Sequence, residues 1–417
     1  MPDAVLSPPR LFRGWWVVAG AFAVTCMGFG AAYSFSAFLQ PLQSEFGASR
    51  GSVSLVFSLA GFLYFSLGIA SGPLADRWGA RPLAIAGMLL VAAGLVLAAL
   101  ARSLTEVYVA YSLGVGLGIG LSYVPVVAAV QRWFVRRRGL ASGLAVSGIG
   151  VGTLLVPPLA TLLIDAWGWR AAYAILGGLV VAVGVSMAFF IDGDPRRRGL
   201  ATDGDPAPET TTAGPGTGAT MAQALATRSF VLLYIAGVLA SFGVFVPFVH
   251  LVPYATDHGV PAASAALLIA AIGVGSTAGR FLLGGLADRL GRARALVWTF
   301  AGMAVAMAVW SACTSFWPLL AFGLVFGLFY GAWVAIIPAV VMDFFGGRSI
   351  SSIIGALYTS VAVGTLIGPS AAGYAFDASG SYLVPILAGA ASNVLAALVM
   401  AAAGRAARRE RQGAPAF

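Results

Sequence analysis

Two ionisable side chains stand where such groups are costly. Arg280 falls inside the apolar run Ala262–Leu283, and His250 inside the run Phe230–Tyr254. A guanidinium does not shed its proton, so at bilayer depth it needs water or a partner. Its planar fork matches a carboxylate with two parallel hydrogen bonds. An arginine in a cavity without an acidic neighbour is therefore a site for a small organic anion. The bland alternatives are a structural ion pair and snorkelling to the surface. One turn before Arg280 stands Ser276, which offers no local acid and joins the candidate site. Asp343 lies at the end of another apolar run, too near the surface to serve. Imidazole titrates near neutral pH when unperturbed, so His250 is the candidate proton carrier or hydrogen-bond donor. The alternative there is a neutral histidine capped by a hydroxyl or carbonyl.

Four tyrosines are candidates to complete the pocket. Tyr123 follows the glycine series Gly114, Gly116, Gly118 and Gly120, and Tyr330 follows Gly323 and Gly327. Tyr33 and Tyr358 lie in the first and eleventh apolar runs. A phenol can bond a 2-hydroxyl or keto oxygen while its ring covers an alkyl group. Each is otherwise a packing or interfacial residue. Nothing points to catalysis. There is no H-E-x-x-H, no P-loop and no G-x-S-x-G between a strand and a helix. Cys26 and Cys313 lie in different halves and form neither a disulfide framework nor a metal site. No cofactor and no metal are expected.

The elements that hold these residues follow from composition. Of 417 residues, 59% are hydrophobic and 9% charged, with a mean hydropathy of +0.92. So large an apolar surplus must be covered by lipid. Twelve runs are long enough to span: Trp15–Phe38, Ser54–Leu74, Leu83–Leu100, Val107–Val130, Ala141–Ile164, Ala171–Ile191, Phe230–Tyr254, Ala262–Leu283, Ala295–Cys313, Trp317–Val341, Ile350–Tyr374 and Tyr382–Ala403. The first is too long for a signal-peptide core and reads as a span. The fold class is an all-α membrane protein of two six-helix bundles. The domains are 1–191, a linker 192–228, 229–404 and a tail 405–417.

All 24 basic residues are arginine, as in proteins from GC-rich bacterial genomes. With the N-terminus inside, 20 arginines fall in inner loops and tails. Three, Arg50, Arg102 and Arg170, fall outside, and Arg280 lies within a span. The positive-inside rule then puts both termini in the cytoplasm, in a bacterial inner membrane. The linker contains Arg196-Arg197-Arg198 and a run rich in Pro, Thr, Gly and Ala, and reads as a flexible tether. Its arginines suit anionic lipid heads. Nucleic acid is not an expected partner, because the basic residues are scattered over short loops.

The halves repeat. Gly72-x-x-x-Asp76-Arg77-x-Gly79-x-Arg81 recurs as Gly284-x-x-x-Asp288-Arg289-x-Gly291-Arg292, offset by 284 − 72 = 212 residues. The glycines suit close helix approach, the aspartate a neighbouring helix N-terminus, and the arginines can pair with it. The cluster reads as a latch that releases as the halves rock. A single copy would be a tight polar turn, but two equivalent copies form a pattern.

With this loop the whole chain resembles the major facilitator superfamily. A narrower resemblance lies at Trp133-Phe134-Val135-Arg136-Arg137-Arg138-Gly139-Leu140-Ala141-Ser142-Gly143, continuing Ser147-Gly148-x-Gly150-x-Gly152, which looks like the fifth-helix signature of the monocarboxylate transporter family. Arg13-Gly14-Trp15-Trp16 resembles that family's first-helix start. The resemblance implies a secondary carrier of lactate, pyruvate and related acids, usually with a proton, acting as a monomer. It places the family's substrate arginine at Arg280. Two positions depart. Ser276 stands where the family commonly has an aspartate, and Tyr33 where it has a first-span lysine. Proton coupling is therefore not carried over residue by residue, and His250 is the remaining titratable candidate. The expectation is proton symport of a monocarboxylate. The alternatives are an oxalate/formate-type anion exchanger and a non-transporting membrane sensor.

Overall fold

Lipid offers the backbone no hydrogen-bond partner, so an apolar run that enters it closes its own bonds as a helix. The computed structural model describes residues 12–134, 138–193, 195, 202–204, 218–346 and 348–413, and every long element among them is helical. In the first half these are α1 (Gly14–Phe46), α2 (Arg50–Trp78), α3 (Ala80–Ala99), α4 (Leu104–Trp133), α5 (138–167) and α6 (169–188). In the second they are α7 (Arg228–Asp257), α8 (Ala262–Leu290), α9 (Arg292–Trp310), α10 (Phe316–Phe345), α11 (Ile350–Ser379) and α12 (Leu383–Gly413).

By length and apolarity 11 helical stretches qualify as spans, and one of them, Leu140–Ala188, has 49 residues. At 1.5 Å per residue that is about twice a ~30 Å hydrocarbon core. Gly168 turns the chain inside it with φ 79°, and the stretch resolves into α5 and α6. Twelve crossings return the chain to its starting side. The face bearing the two ends is called the terminal face, and the opposite one the distal face.

The repeat seen in the loops extends into the helices. α1 breaks its regular path at Ser34 and α7 at Phe245, 245 − 34 = 211 residues apart. In α7 the break is explained by Pro247, which opens the next helical stretch and brings no N–H. The halves meet where α2 packs on α11 and α5 on α8.

Two chain segments depart from expectation. The linker ends in an ordered helix, Met221–Leu225, capped by a reciprocal Thr220–Gln223 box, and Ala219 N–H donates to Phe345 O at 2.8 Å. Most of the linker, including Arg196–Arg198, lies outside the described residues, as do Arg136 and Arg137. The tail does not leave the bundle at residue 405, because α12 runs on to Gly413. Arginine and glutamate are good helix formers, and Glu410 accepts from the N–H of Ser229, satisfying a free donor at the start of α7.

Candidate functional site

Close helix packing sets the site. On the α8–α10 seam a Cβ at Gly279 would collide with the backbone of Leu328, and one at Gly331 with that of Ser276. Arg280 follows the first of these glycines and Tyr330 precedes the second, so the seam that needs small residues also brings the guanidinium beside the phenol. α5 approaches α8 in the same way, with Gly150 against Thr277 and Gly273 against the Gly150 carbonyl. That approach puts the Val146 carbonyl within reach of Arg280 Nη1, which donates to it.

Arg280 is buried, and its Nε and Nη2 have no partner among the described residues. It lines a cavity of about 620 Å³ that runs to the terminal face between α2, α4, α5, α8, α10 and α11, with the start of α9 at its mouth. Among the described residues the charged ones on that lining are Arg280 and Arg292, and none is acidic. An unpaired cation in such a space gains most from an anion that enters and fills its free fork.

The four sequence-predicted tyrosines converge here. Tyr33, Tyr123, Tyr330 and Tyr358 all lie within electrostatic reach of Arg280. Tyr33 and Tyr330, from opposite halves, share a hydrogen bond of 3.0 Å between their hydroxyls. Tyr33 lies over Phe248 with ring centroids 4.4 Å apart, and Tyr123 meets Phe29 edge to face at 5.2 Å. Tyr123 and Tyr358 line the cavity and also a smaller chamber deeper in the bundle, with Phe29, Phe65, Phe245 and Trp333 on its walls.

The other two predicted residues stand apart. Ser276 is buried at the α8–α10 seam, its hydroxyl has no partner among the described residues, and it lines neither space. His250 faces away from Arg280, in a closure on the distal side. Its Nε2 donates to Pro369 O at 2.8 Å and lies 3.4 Å from Ser54 Oγ, and its Nδ1 is 2.9 Å from the Tyr382 hydroxyl. A carbonyl only accepts, so Nε2 carries a hydrogen. Arg50 donates to Tyr382 Oη at 3.0 Å, which leaves that hydroxyl free to donate to Nδ1. The donor accounting therefore fits a neutral imidazole capped by a carbonyl and a hydroxyl.

The rest of this closure was not read from the sequence. Arg50 forms a two-pronged ion pair with Asp257 at 2.5 and 2.8 Å and lies over the Phe376 ring at 4.1 Å. Asp377 accepts from the N–H groups of Arg50 and Gly51, acting across the halves as an N-cap for α2. Gln40 donates to Thr256 at 2.8 Å. One signal was present: Arg50 is among the three arginines that depart from the one-sided distribution.

The repeated loops hold turns more than close contacts. Gly79 and Gly291 adopt φ 92° and 89° between successive helices, a region side chains rarely enter. A Cβ at Gly72 or Gly284 would meet only ordinary contacts at 3.8 Å, so close approach does not explain those two. Arg81 bonds the Ile191 carbonyl at 2.8 Å and Asp192 at 3.7 Å, and Arg292 pairs with Asp343 at 2.8 Å. Arg77 and Arg289 are exposed. The side chains of Asp76 and Asp288 lie outside the described residues.

A family model described as the Major Facilitator Superfamily matches residues 20–271 and 231–416. Monocarboxylate transporter 11 of Mus musculus is 32% identical over 91% of this chain and 85% of its own length. Monocarboxylate transporter 3 of Rattus norvegicus is 34% identical over 96% and 81%. Monocarboxylate transporter 12 of Rattus norvegicus is 30% identical over 98% and 89%. Among solved structures, a bacterial homologue of the human lysosomal transporter Spinster, inward-facing and unoccupied, superposes with a TM-score of 0.70 at 17% identity, covering 98% of this chain and all of that one. That likeness concerns the fold alone.

Proposed function

Because this chain belongs to the major facilitator superfamily and, within it, to the monocarboxylate transporter family, it is a membrane transporter and not an enzyme, and we propose that it carries small monocarboxylates of the lactate and pyruvate kind. One observation carries the reading: Arg280 is buried on a wide cavity and, among the described residues, two of its donors have no partner and the lining has no acid. A carboxylate entering from the terminal face meets Nε and Nη2 as a fork, while the phenols of Tyr123, Tyr330 and Tyr358 offer hydroxyls to a 2-oxygen. Two carboxylates in one such site would leave a charge unmatched, which favours one carboxylate per substrate. With the terminal face cytoplasmic, as the arginine distribution predicts, the cavity is inward-open. Delivery to the other side then follows by rocking of the two halves about this site.

The accompanying ion is proposed to be a proton, with His250 as the group whose titration responds to it. It acts through the distal closure and not at the carboxylate. Opening that face carries the imidazole away from Ser54 and Arg50 of the other half while Pro369 and Tyr382 move with it, and a proton taken up there adds a cation that opposes the return of Arg50 until it leaves. A second reading, anion exchange without a proton, is favoured by the lack of an acid beside Arg280 among the described lining residues. Proteoliposomes carrying an internal pH dye separate the two. Lactate-driven acidification of the lumen supports symport. Uptake that requires an internal counter-anion supports exchange. Failure of any carboxylate to move, by either route, overturns the proposal.

A further inference from the structure

We propose that the preferred cargo of this carrier bears a branched or aryl side chain, and that the chamber beyond Arg280 receives it. The inference deepens the carboxylate reading of Arg280 and rests on it. The chamber and the cavity share Tyr123, Val334 and Tyr358 on their linings. A molecule whose carboxylate sits on the guanidinium therefore points its tail between these side chains into the chamber. The free volume there is about 40 Å³, room for about three waters by the same measure. At about 30 Å³ of liquid volume per water, three waters occupy the bulk of an isobutyl or phenyl group. A methyl group, as in lactate, leaves most of that space unfilled, and its walls forgo their contacts.

The walls decide between water and hydrocarbon. Phe29, Phe65, Phe245 and Val361 offer water nothing to bond, and apolar voids of this kind stay dry and take apolar guests. Hydroxyls on the wall are partly engaged already, Tyr33 with Tyr330 and Ser360 with the Leu357 carbonyl, and one polar atom is not. The indole Nε1 of Trp333 is buried and has no partner among the described residues. An N–H at an aromatic wall can point at the face of a ring, which a methyl group cannot offer. The matching class is 2-oxo and 2-hydroxy acids with a four- to six-carbon or aryl tail.

The test is a panel of initial uptake rates into proteoliposomes of the full chain, with lactate, 4-methyl-2-oxopentanoate and phenylpyruvate each varied over concentration. The expected kcat/KM for one or both bulky acids exceeds that for lactate by tenfold or more. Val361→Phe, which fills the chamber, should bring the bulky-to-lactate ratio toward one, and Trp333→Phe should lower it for phenylpyruvate more than for 4-methyl-2-oxopentanoate. Lactate equal to or better than both bulky acids overturns the chamber inference while leaving the carboxylate reading intact. Failure of all three acids to move, or uptake by Arg280→Ala as fast as the parent, overturns both.

Discussion

The distal and terminal faces use charge in opposite ways. On the distal face one ion pair, Arg170 with Glu45, stays within the first half, but a set of bonds crosses between halves: Arg50 to Asp257 and Tyr382, Asp377 to the start of α2, His250 to Ser54, and Gln40 to Thr256. On the terminal face the ion pairs described stay within a half, Arg81 with Asp192 and Arg292 with Asp343. Bonds within a half survive rocking, whereas bonds between halves must break for the face to open. The side held shut is therefore the side stitched across, and the open side is braced internally so that each bundle moves as a unit. Between them stands the guanidinium of Arg280, which has no acidic partner among the described residues.

The largest effect should come from removing that central charge. Arg280→Ala is expected to lower carboxylate uptake at least hundredfold, and Arg280→Lys to restore only part of it, because an ammonium lacks the fork. Initial rates in proteoliposomes measure both, and parental rates in either variant would break the link between an unpaired cation and transport.

Next in size is the distal stitch. Arg50 is mostly buried and Asp257 about one-third exposed, with side-chain exposures of 12% and 31%, so the pair lies between a surface bridge and a buried one. Losing hydrogen bonds to a charged partner costs about 2 kcal/mol, a roughly thirtyfold shift in the open-to-closed ratio. Spin labels near Ser52 on α2 and Ser379 on α11 should report a longer distance in Asp257→Asn. An unchanged distribution would mean that the ion pair does not hold the face.

A smaller effect concerns pH. The neutral imidazole of His250 accepts from Tyr382, so a proton on Nδ1 removes that bond and adds a cation within the network of Arg50, Asp257 and Asp377. Lowering the pH from about 8 to about 5 should populate longer label distances severalfold in the parent. His250→Gln should flatten this response. A response of equal size in the variant would place the titrating group elsewhere.

The smallest effect should lie in the terminal-face turns. Gly79→Ala and Gly291→Ala put a Cβ at φ near 90° and should each cost about 1–2 kcal/mol of stability. Gly72→Ala, which meets no tight contact, should cost less than about 1 kcal/mol. Thermal unfolding in detergent would rank them, and equal costs would remove the distinction drawn between turn glycines and the others.

The helices were legible because lipid imposes a one-dimensional rule: apolar length decides a span. Even the case in which two spans join, at Gly168, was readable from length and charge. Arg280 and its tyrosines were legible because a lone cation in an apolar run is conspicuous and a glycine series marks the packed face of a helix. For His250 the kind of cap was legible, a hydroxyl or carbonyl, but not which residues supply it. The carbonyl and hydroxyl that the ring meets lie 119 and 132 residues further along the chain. Arg50 finds partners 207 and 332 residues away in sequence, and no local pattern encodes such a meeting.

The amino-acid sequence by itself determined the number of spans, the twofold repeat, the sidedness expected from arginine and the single intramembrane cation. These follow from the cost of moving each residue type out of water, a property of the residue and its near neighbours. Only the tertiary structure decided that the cation has no acidic partner among the described residues, that four phenols from both halves lie near it, and that the histidine lies in the distal closure and not beside the arginine. Those facts depend on which helix faces meet, set by glycine seams and cross-half hydrogen bonds between residues far apart in the chain.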